Sequence, residues 1–235
     1  MTRLDEVSST PGGSIHGTDF GAWNLQYFDV PSADSSFYSI KQGKKSRLDV
    51  EIFELDDGNR ITIESEINEV GVLFRLAAVF YGRGWTILKA RIHSPDMNRI
   101  QDEFFIRHKS KEKKQADLKL IVSDLENLLF GGVSVLEYLM NLKASPPPSP
   151  VGGGHVEVSF QETVPVIQMN GQDQPGLLLK ISQAFFLMDV NVVQGTIETN
   201  SFGGIHNIFQ ADPLDRRFYI PEFCRRLEEE LIILL

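Results

Sequence analysis

The chain has 235 residues, 42% of them hydrophobic, which is enough for one or two packed domains. Its formal net charge of −9 argues against nucleic-acid binding, because phosphate backbones need clustered Lys and Arg. With a single cysteine, Cys224, the chain can form no intramolecular disulfide, and we expect a cytoplasmic protein. No apolar stretch approaches the roughly 20 residues of a membrane helix and no signal-peptide pattern is present, so we expect no membrane association.

Residues 1–46 are rich in Gly, Ser and Asp and contain scattered aromatic side chains. The polar composition predicts a mobile tail. The aromatic residues predict packing of part of this tail on the body of the chain or on a dimer partner, with ligand binding as the alternative.

Residues 47–142 predict a first folded domain. The predicted elements are strands at 47–55 and 60–67, a helix at 70–82, strands at 85–94 and 102–108, and a helix at 116–130. The strands follow from alternating apolar positions, and the helices from apolar residues spaced along one face. Residues 133–140 form either a closing strand or an extension of the second helix.

Residues 143–154 are rich in Pro and Gly and predict a linker, which we interpret as a spacer rather than a ligand for a proline-binding domain. Residues 155–235 predict a second domain. Its elements are strands at 155–160 and 164–170, a helix at 175–188, strands at 190–199 and 205–211, and a helix at 220–230. The fourth strand is either the short segment 231–235, or its place at the sheet edge is filled by the leading strand 155–160.

An internal repeat relates the two domains. Gly176 lies 105 positions after Gly71, and with this offset Leu73 aligns with Leu178 and Phe80 with Phe185, without gaps. Such a repeat indicates two homologous units. The fold class that follows is α+β, with two ferredoxin-like βαββαβ units whose antiparallel sheets carry both helices on one face.

The sequence Asp-Gln-Pro-Gly-Leu-Leu at 173–178, followed after one helix by Val-Asn-Val at 190–192, resembles the ACT domain family of small regulatory modules that bind amino acids. The form of the motif is most similar to the tandem ACT domains of the uridylyltransferases that modify the nitrogen-regulatory signal protein. The resemblance implies a ligand beside the turn between the first strand and the helix, at an interface between two domains.

The resemblance also implies which residues bind that ligand: Asp173, Gly176, Leu177 and Asn191, with Asn68 and Gly71 in the first repeat. A glycine lets a backbone approach closely, and free N–H groups at a helix start favour a carboxylate. Asp173 can accept from an α-ammonium, and Asn191 offers both a donor and an acceptor. As alternatives, Asp173 caps the helix and Asn191 satisfies a turn.

The first repeat departs from the pattern, because Val70 stands where proline is usual and Thr86 where asparagine is usual. These changes weaken the expectation of an amino-acid site there, and the first unit can serve for pairing alone.

No catalytic constellation, metal-ligand spacing of the histidines or phosphate-cradling loop is visible, so we expect no enzymatic activity, no cofactor and no metal. The expected function is allosteric regulation through a small-molecule effector, an amino acid, and through pairing of the ACT units within the chain or across a homodimer. The chain then acts on a regulated protein partner. The alternatives are a ligand-free protein interaction module and a separate regulatory piece of a uridylyltransferase-type nitrogen-sensing system.

Overall fold

The structure is a computed structural model that describes residues 37–39, 47–111 and 114–235. Of the predicted tail, only strand β1 (Phe37–Ser39) falls within these ranges. Strand β1 pairs with the strand at 48–55, so this part of the tail lies on the body of the chain, as predicted. The rest of the tail, with Phe20, Trp23, Tyr27 and Phe28, lies outside the described residues. The described residues belong to one compact unit, Asp34–Leu235.

Both repeats contain the predicted helices and strands, each confirmed to within two residues at its ends. The first repeat comprises β2 (Leu48–Leu55), β3 (Gly58–Ser65), α1 (Val72–Gly82), β4 (Trp85–His93), β5 (Ile100–His108), α2 (Lys114–Phe130) and α3 (Val135–Asn141). The second comprises β6 (His155–Gln161), β7 (Val164–Gln172), α4 (Leu177–Leu187), β8 (Val192–Thr199), β9 (Gly204–Ala211), a 3-10 turn (Arg216–Tyr219) and α5 (Pro221–Ile232).

The strands form a single antiparallel sheet in the order β1-β2-β3-β5-β4-β8-β9-β7-β6, which confirms the α+β class. Side chains along the strands alternate between buried and more exposed positions, so one face of the sheet carries the core. On that face the repeat-equivalent residues Phe80 and Phe185 pack against Phe104 and Phe209, at ring distances of 4.9 and 5.2 Å. No helix in the described part of the chain has the length and apolar character needed to cross a bilayer.

The order of elements differs from the predicted βαββαβ. Each repeat runs ββαββα, because the leading strand, β2 or β6, fills the sheet position that was assigned to a fourth strand. Residues 133–140 lie largely in helix α3, and 231–235 form no strand. A hairpin with a short turn closes at little entropic cost, whereas a strand after the last helix must close a longer loop.

A polar cluster explains why α3 stays helical and packs on the first repeat. Arg83, at the end of α1, donates from Nε to Asp124 of α2 at 2.5 Å, and Tyr138 of α3 donates to the same carboxylate at 2.7 Å. Ser134 caps α3, because its Oγ accepts from the N–H of Glu137. The bonds to Asp124 connect three helices.

The two repeats meet edge to edge within the chain, where β4 pairs with β8. Residues 89–93 of β4 lie opposite 194–198 of β8, a pairing called the seam below. Arg91 lies opposite Thr196, which is its own equivalent 105 positions later. A local twofold axis therefore passes between these two residues and relates one repeat to the other.

Candidate ligand-binding cavities between the repeats

Helices α1 and α4 lie antiparallel across the seam, and a small cavity lies at each end of this helix pair. Cavity 1, of about 40 Å³, lies between the end of α1 and the start of α4, and its lining includes Tyr81, Thr86, Asp173, Gln174, Gly176 and Asn207. Cavity 2, of about 20 Å³, lies between the start of α1 and the end of α4, and its lining includes Asn68, Gly71, Asp102, Ser182, Phe186 and Asn191. The local twofold axis exchanges the two cavities.

The structure divides the predicted site residues between these cavities. Asp173, Gly176 and Leu177 line cavity 1, whereas Asn191 lines cavity 2 together with Asn68 and Gly71. The grouping of Asp173 with Asn191 in one site is therefore wrong. Asn191 follows the end of α4, and a helix of 11 residues spans roughly 16 Å, which separates it from the turn before its own helix. Because the helices are antiparallel, it lies beside the turn of the first repeat instead.

Glycine forms the N-cap of both helices in a left-handed conformation, with φ of 92° at Gly71 and 80° at Gly176. Neither cap has a side-chain hydrogen bond, so Asp173 does not cap α4 as the alternative required. Its Oδ2 instead accepts from Thr199 Oγ1 at 3.2 Å. Of the first-turn N–H groups of α4, that of Leu177 already donates to the carbonyl of Gln174 at 3.0 Å. Those of Leu178 and Leu179 have no partner one turn earlier in the helix and are suited to an anion.

Asp173 is a half-buried carboxylate without an ion pair to any described residue. Burial raises the pKa of this carboxyl, while the hydrogen bonds from Thr199 and from the N–H of Gln174 partly oppose the rise. A cation beside Asp173 would stabilise the ionised carboxylate, whereas the surrounding described residues provide no positive charge.

Two residues that line cavity 1 each have a buried polar atom without a hydrogen-bond partner among the described residues. These atoms are Nε1 of Trp85, a donor, and Oε1 of Gln174, an acceptor. The residues are 3% and 7% exposed, and leaving such groups unpaired costs about 1–3 kcal/mol each. Sequence reasoning missed Trp85, because it was assigned only to a strand. Gln174 lies inside the motif at 173–178 but received no role.

The predicted linker lies against cavity 1. The hydroxyl of Tyr81 donates to the carbonyl of Ser145 at 2.8 Å, and Lys180 donates to the carbonyl of Pro148. A Cβ at Gly176 would lie 3.0 Å from Pro147, so this proline contacts the helix start closely. Residues 145–148 are therefore part of the interface, and not only a spacer.

The two cavities carry their carboxyl groups at different positions. Glu69 and Asp102 of cavity 2 are replaced by the amides Gln174 and Asn207 in cavity 1, whereas Asp173 of cavity 1 is replaced by Asn68 in cavity 2. Asp102 Oδ1 accepts from the N–H of His93 at 3.0 Å, and its equivalent Asn207 makes the same bond from Glu198 at 3.3 Å. Cavity 1 thus has a neutral amide where cavity 2 has a titratable carboxyl group.

A wider surface groove of about 460 Å³ lies on the first repeat and shares Ile100 with cavity 2. It is lined by Arg47, Asp49, Glu64, Ser65, Glu66, Pro95, Arg99, Ile100 and Gln101. Its two cations already have partners, because Arg99 pairs with Asp96 at 2.6 Å and Arg47 lies over the ring of Phe130. Among the described residues, those that line this groove have no buried side-chain polar atom without a partner, unlike Trp85 and Gln174 in cavity 1.

Within the described ranges, no three His, Cys, Asp or Glu side chains are close enough to form a metal site. A scan against models of known protein families finds no match to this chain, and a search of curated proteins finds no significant similarity. A functional assignment therefore depends on the two cavities and on the motif at 173–178.

Proposed function

We propose that this chain is a regulatory protein built from two ACT-type units, and that it binds a small zwitterionic effector, an amino acid by class, in cavity 1. The observation that carries the proposal is the set of uncompensated polar groups in that cavity. Asp173 has no cation, and Trp85 and Gln174 each have an unpaired buried atom. All three lie beside the start of α4.

These groups match the ends of an amino acid. The ammonium group is placed at Asp173, where a cation relieves the buried carboxylate. The carboxylate is placed at the N–H groups of Leu178 and Leu179 in the first turn of α4, where the helix dipole favours an anion. The Trp85 N–H and the Gln174 carbonyl supply one further donor and one further acceptor to the ligand.

The size of cavity 1 makes binding dependent on movement. At roughly 10–15 Å³ for each water molecule, about 40 Å³ holds approximately three waters, which is less than a whole amino acid needs. The ligand must therefore separate the end of α1 from the start of α4, or displace residues 145–148. This requirement couples occupancy to the arrangement of the two repeats, with an expected coupling of about 1–3 kcal/mol.

The test is a thermal-shift screen of the full chain against the twenty amino acids. At a hundredfold excess over Kd, binding to the folded state adds about 2.7 kcal/mol, which raises Tm by about 5–10 °C for a chain of this size. Asp173→Asn keeps the shape of the side chain and is expected to weaken binding more than tenfold. Asp57→Asn, on an exposed turn, is the matched control. No shift with any amino acid, or equal binding by the Asp173 variant, would contradict the proposal.

A ligand-free interaction module is the second candidate, and an exposed aromatic pair favours it. The rings of Phe160 and Tyr219 stack at 5.0 Å although the two residues are 40% and 58% exposed, and Ile220 beside them is also exposed. If this patch forms a homodimer, Phe160→Ser with Tyr219→Ser reduces the sedimenting mass by half. Phe202→Ser, at the exposed β8–β9 turn, is expected to leave the mass unchanged. A wild-type chain that sediments as a monomer at all concentrations would contradict this candidate.

A further inference from the structure

Asp102 is a carboxyl group buried at the junction of the two repeats. It is 1% exposed, it lies opposite Ile63 on the core face of the sheet, and it lines cavity 2. The N–H of His93 is its hydrogen-bond donor. The wall that the second repeat contributes to the cavity, which includes Ser182 and Asn191, carries no charge.

The charged and titratable groups around Asp102 offer it no cation. Glu69, on the turn before α1, also lines cavity 2 and forms an ion pair with Arg75 at 2.6 Å. His93 on β4 has a pKa lowered mainly by burial, so its ring is neutral near pH 7. Glu103, the next residue on β5, alternates to the other face of the sheet and pairs with Arg60 at 3.6 Å. An ionised Asp102 would thus be uncompensated in the closed cavity.

We propose that Asp102 is a proton-operated switch at the junction of the repeats. As a neutral acid it keeps cavity 2 closed. When it releases its proton to bulk water, the start of α1 and the end of α4 move apart and water reaches the carboxylate. The switch can be tested without an effector in cavity 1.

The direction of the pH dependence follows from burial, which raises the pKa of Asp102 to about 7, with the His93 hydrogen bond as a smaller opposing influence. In the open, hydrated state the carboxyl has its ordinary pKa of about 3.9. The closed state is therefore fully stable below that ordinary value and loses stability as the pH rises to about 7. Between these limits the opening constant rises about tenfold for each pH unit.

Amide hydrogen exchange by mass spectrometry, on the wild-type chain and Asp102→Asn, tests the switch. Asn207 shows that an asparagine at this position can make the same hydrogen bond, so the variant is expected to fold. At each pH, the exchange rate of the wild-type chain is divided by that of the variant. The intrinsic pH dependence of amide exchange is the same in both chains and cancels in this ratio. We expect this ratio, for the seam and the start of α1, to rise about tenfold for each unit between about pH 5 and pH 7, and then to level off.

Two further comparisons separate local opening from general instability. Helix α2 is an internal reference, and its exchange ratio is expected to stay constant while the seam ratio rises. An equal rise in α2, or a flat seam ratio, would overturn the switch. The ratio of seam to α2 exchange within the wild-type chain gives the same test without a variant. Asn207→Asp places the carboxyl in cavity 1 and is expected to reproduce the profile there, and a flat profile in that folded variant also counts against the switch.

Discussion

Gly71 packs so closely against Phe186 that a Cβ at position 71 would lie 2.7 Å from Cδ2 of the ring. The repeat-equivalent pair shows the same relationship, since a Cβ at Gly176 would lie 2.7 Å from Cε2 of Tyr81. Each glycine at a helix start therefore contacts the last turn of the helix in the other repeat. The twofold relation thus extends from the seam to both ends of the helix pair.

Gly71→Ala is expected to lower the free energy of unfolding by about 2–4 kcal/mol, because it combines positive-φ strain with a clash against Phe186. Gly132→Ala is the matched control, since Gly132 also has positive φ (73°) but has no atoms within 4 Å of the added Cβ. It is expected to cost only about 1 kcal/mol. Urea unfolding measures both variants, and equal losses would show that the contact with Phe186 is unimportant.

Effector binding in cavity 1 is expected to weaken as the pH falls. The raised pKa of Asp173 means that this carboxylate is neutralised at a higher pH than an exposed one, and a neutral carboxyl no longer attracts an ammonium group. Calorimetric titration of the Asp102→Asn chain from neutral to acidic pH measures the effect, because this variant removes the opposing pH dependence of cavity 2. Adding Asp173→Asn is expected to give weak binding with an affinity that is independent of pH. An affinity of the Asp102→Asn chain that is flat over this range would disagree with the assignment.

Asp124→Asn is expected to lower the free energy of unfolding by about 2–4 kcal/mol, because Arg83 is left with a buried charge and no anion at its Nε. The two side chains are only 15% and 9% exposed. Tyr138→Phe removes one hydrogen bond to the same carboxylate and is expected to cost about 1–2 kcal/mol. Glu126→Gln, on the same helix, is the control for the change of charge. A loss in this control as large as that of Asp124→Asn would contradict the prediction.

Glu228→Ala is expected to promote self-association. Strand β6 lies at an edge of the sheet, and its Val158 N–H donates to Glu228 of α5 at 2.7 Å, so this side chain satisfies a group that another strand could otherwise pair with. Glu228→Gln retains an acceptor and Glu230→Ala leaves the bond intact, so both are expected to behave as wild type. Sedimentation over a range of concentrations measures the difference, and a monomeric Glu228→Ala chain would count against edge protection.

The helices and strands could be predicted from the sequence because their signals are local. The helical spacing of apolar residues predicted α1 and α4, and the alternation of apolar residues in 47–55 and 60–67 predicted a hairpin. For the second repeat, the sequence left open whether the leading strand or a closing strand fills the sheet edge, because both satisfy the same local pattern. In the structure, Leu235 is buried against Gly154 and Gly171, so its side chain packs in the core beside β6 and β7 and the segment forms no strand.

The composition of the candidate sites was only partly predictable. The turn residues Asp173 and Gly176 were identified from their motif, and they do lie together. Asn191 was assigned to the same site, but its position depends on how β4 and β8 pair, which is a contact between segments about 100 residues apart. Trp85 and Asp102 were missed for the same reason, since their roles arise only when the second repeat covers the first.

Helices α1 and α4 are antiparallel and are held together above the seam, with one cavity at each end of the pair. The pair can therefore act as a lever, in which the helices tilt about their midpoint. An effector that separates the helices at cavity 1 presses together their opposite ends at cavity 2, where Gly71 already contacts Phe186. We therefore expect negative cooperativity, so that filling one cavity disfavours filling the other. Calorimetric titration is expected to reach saturation at one effector per chain, and two equal, independent sites would contradict the lever.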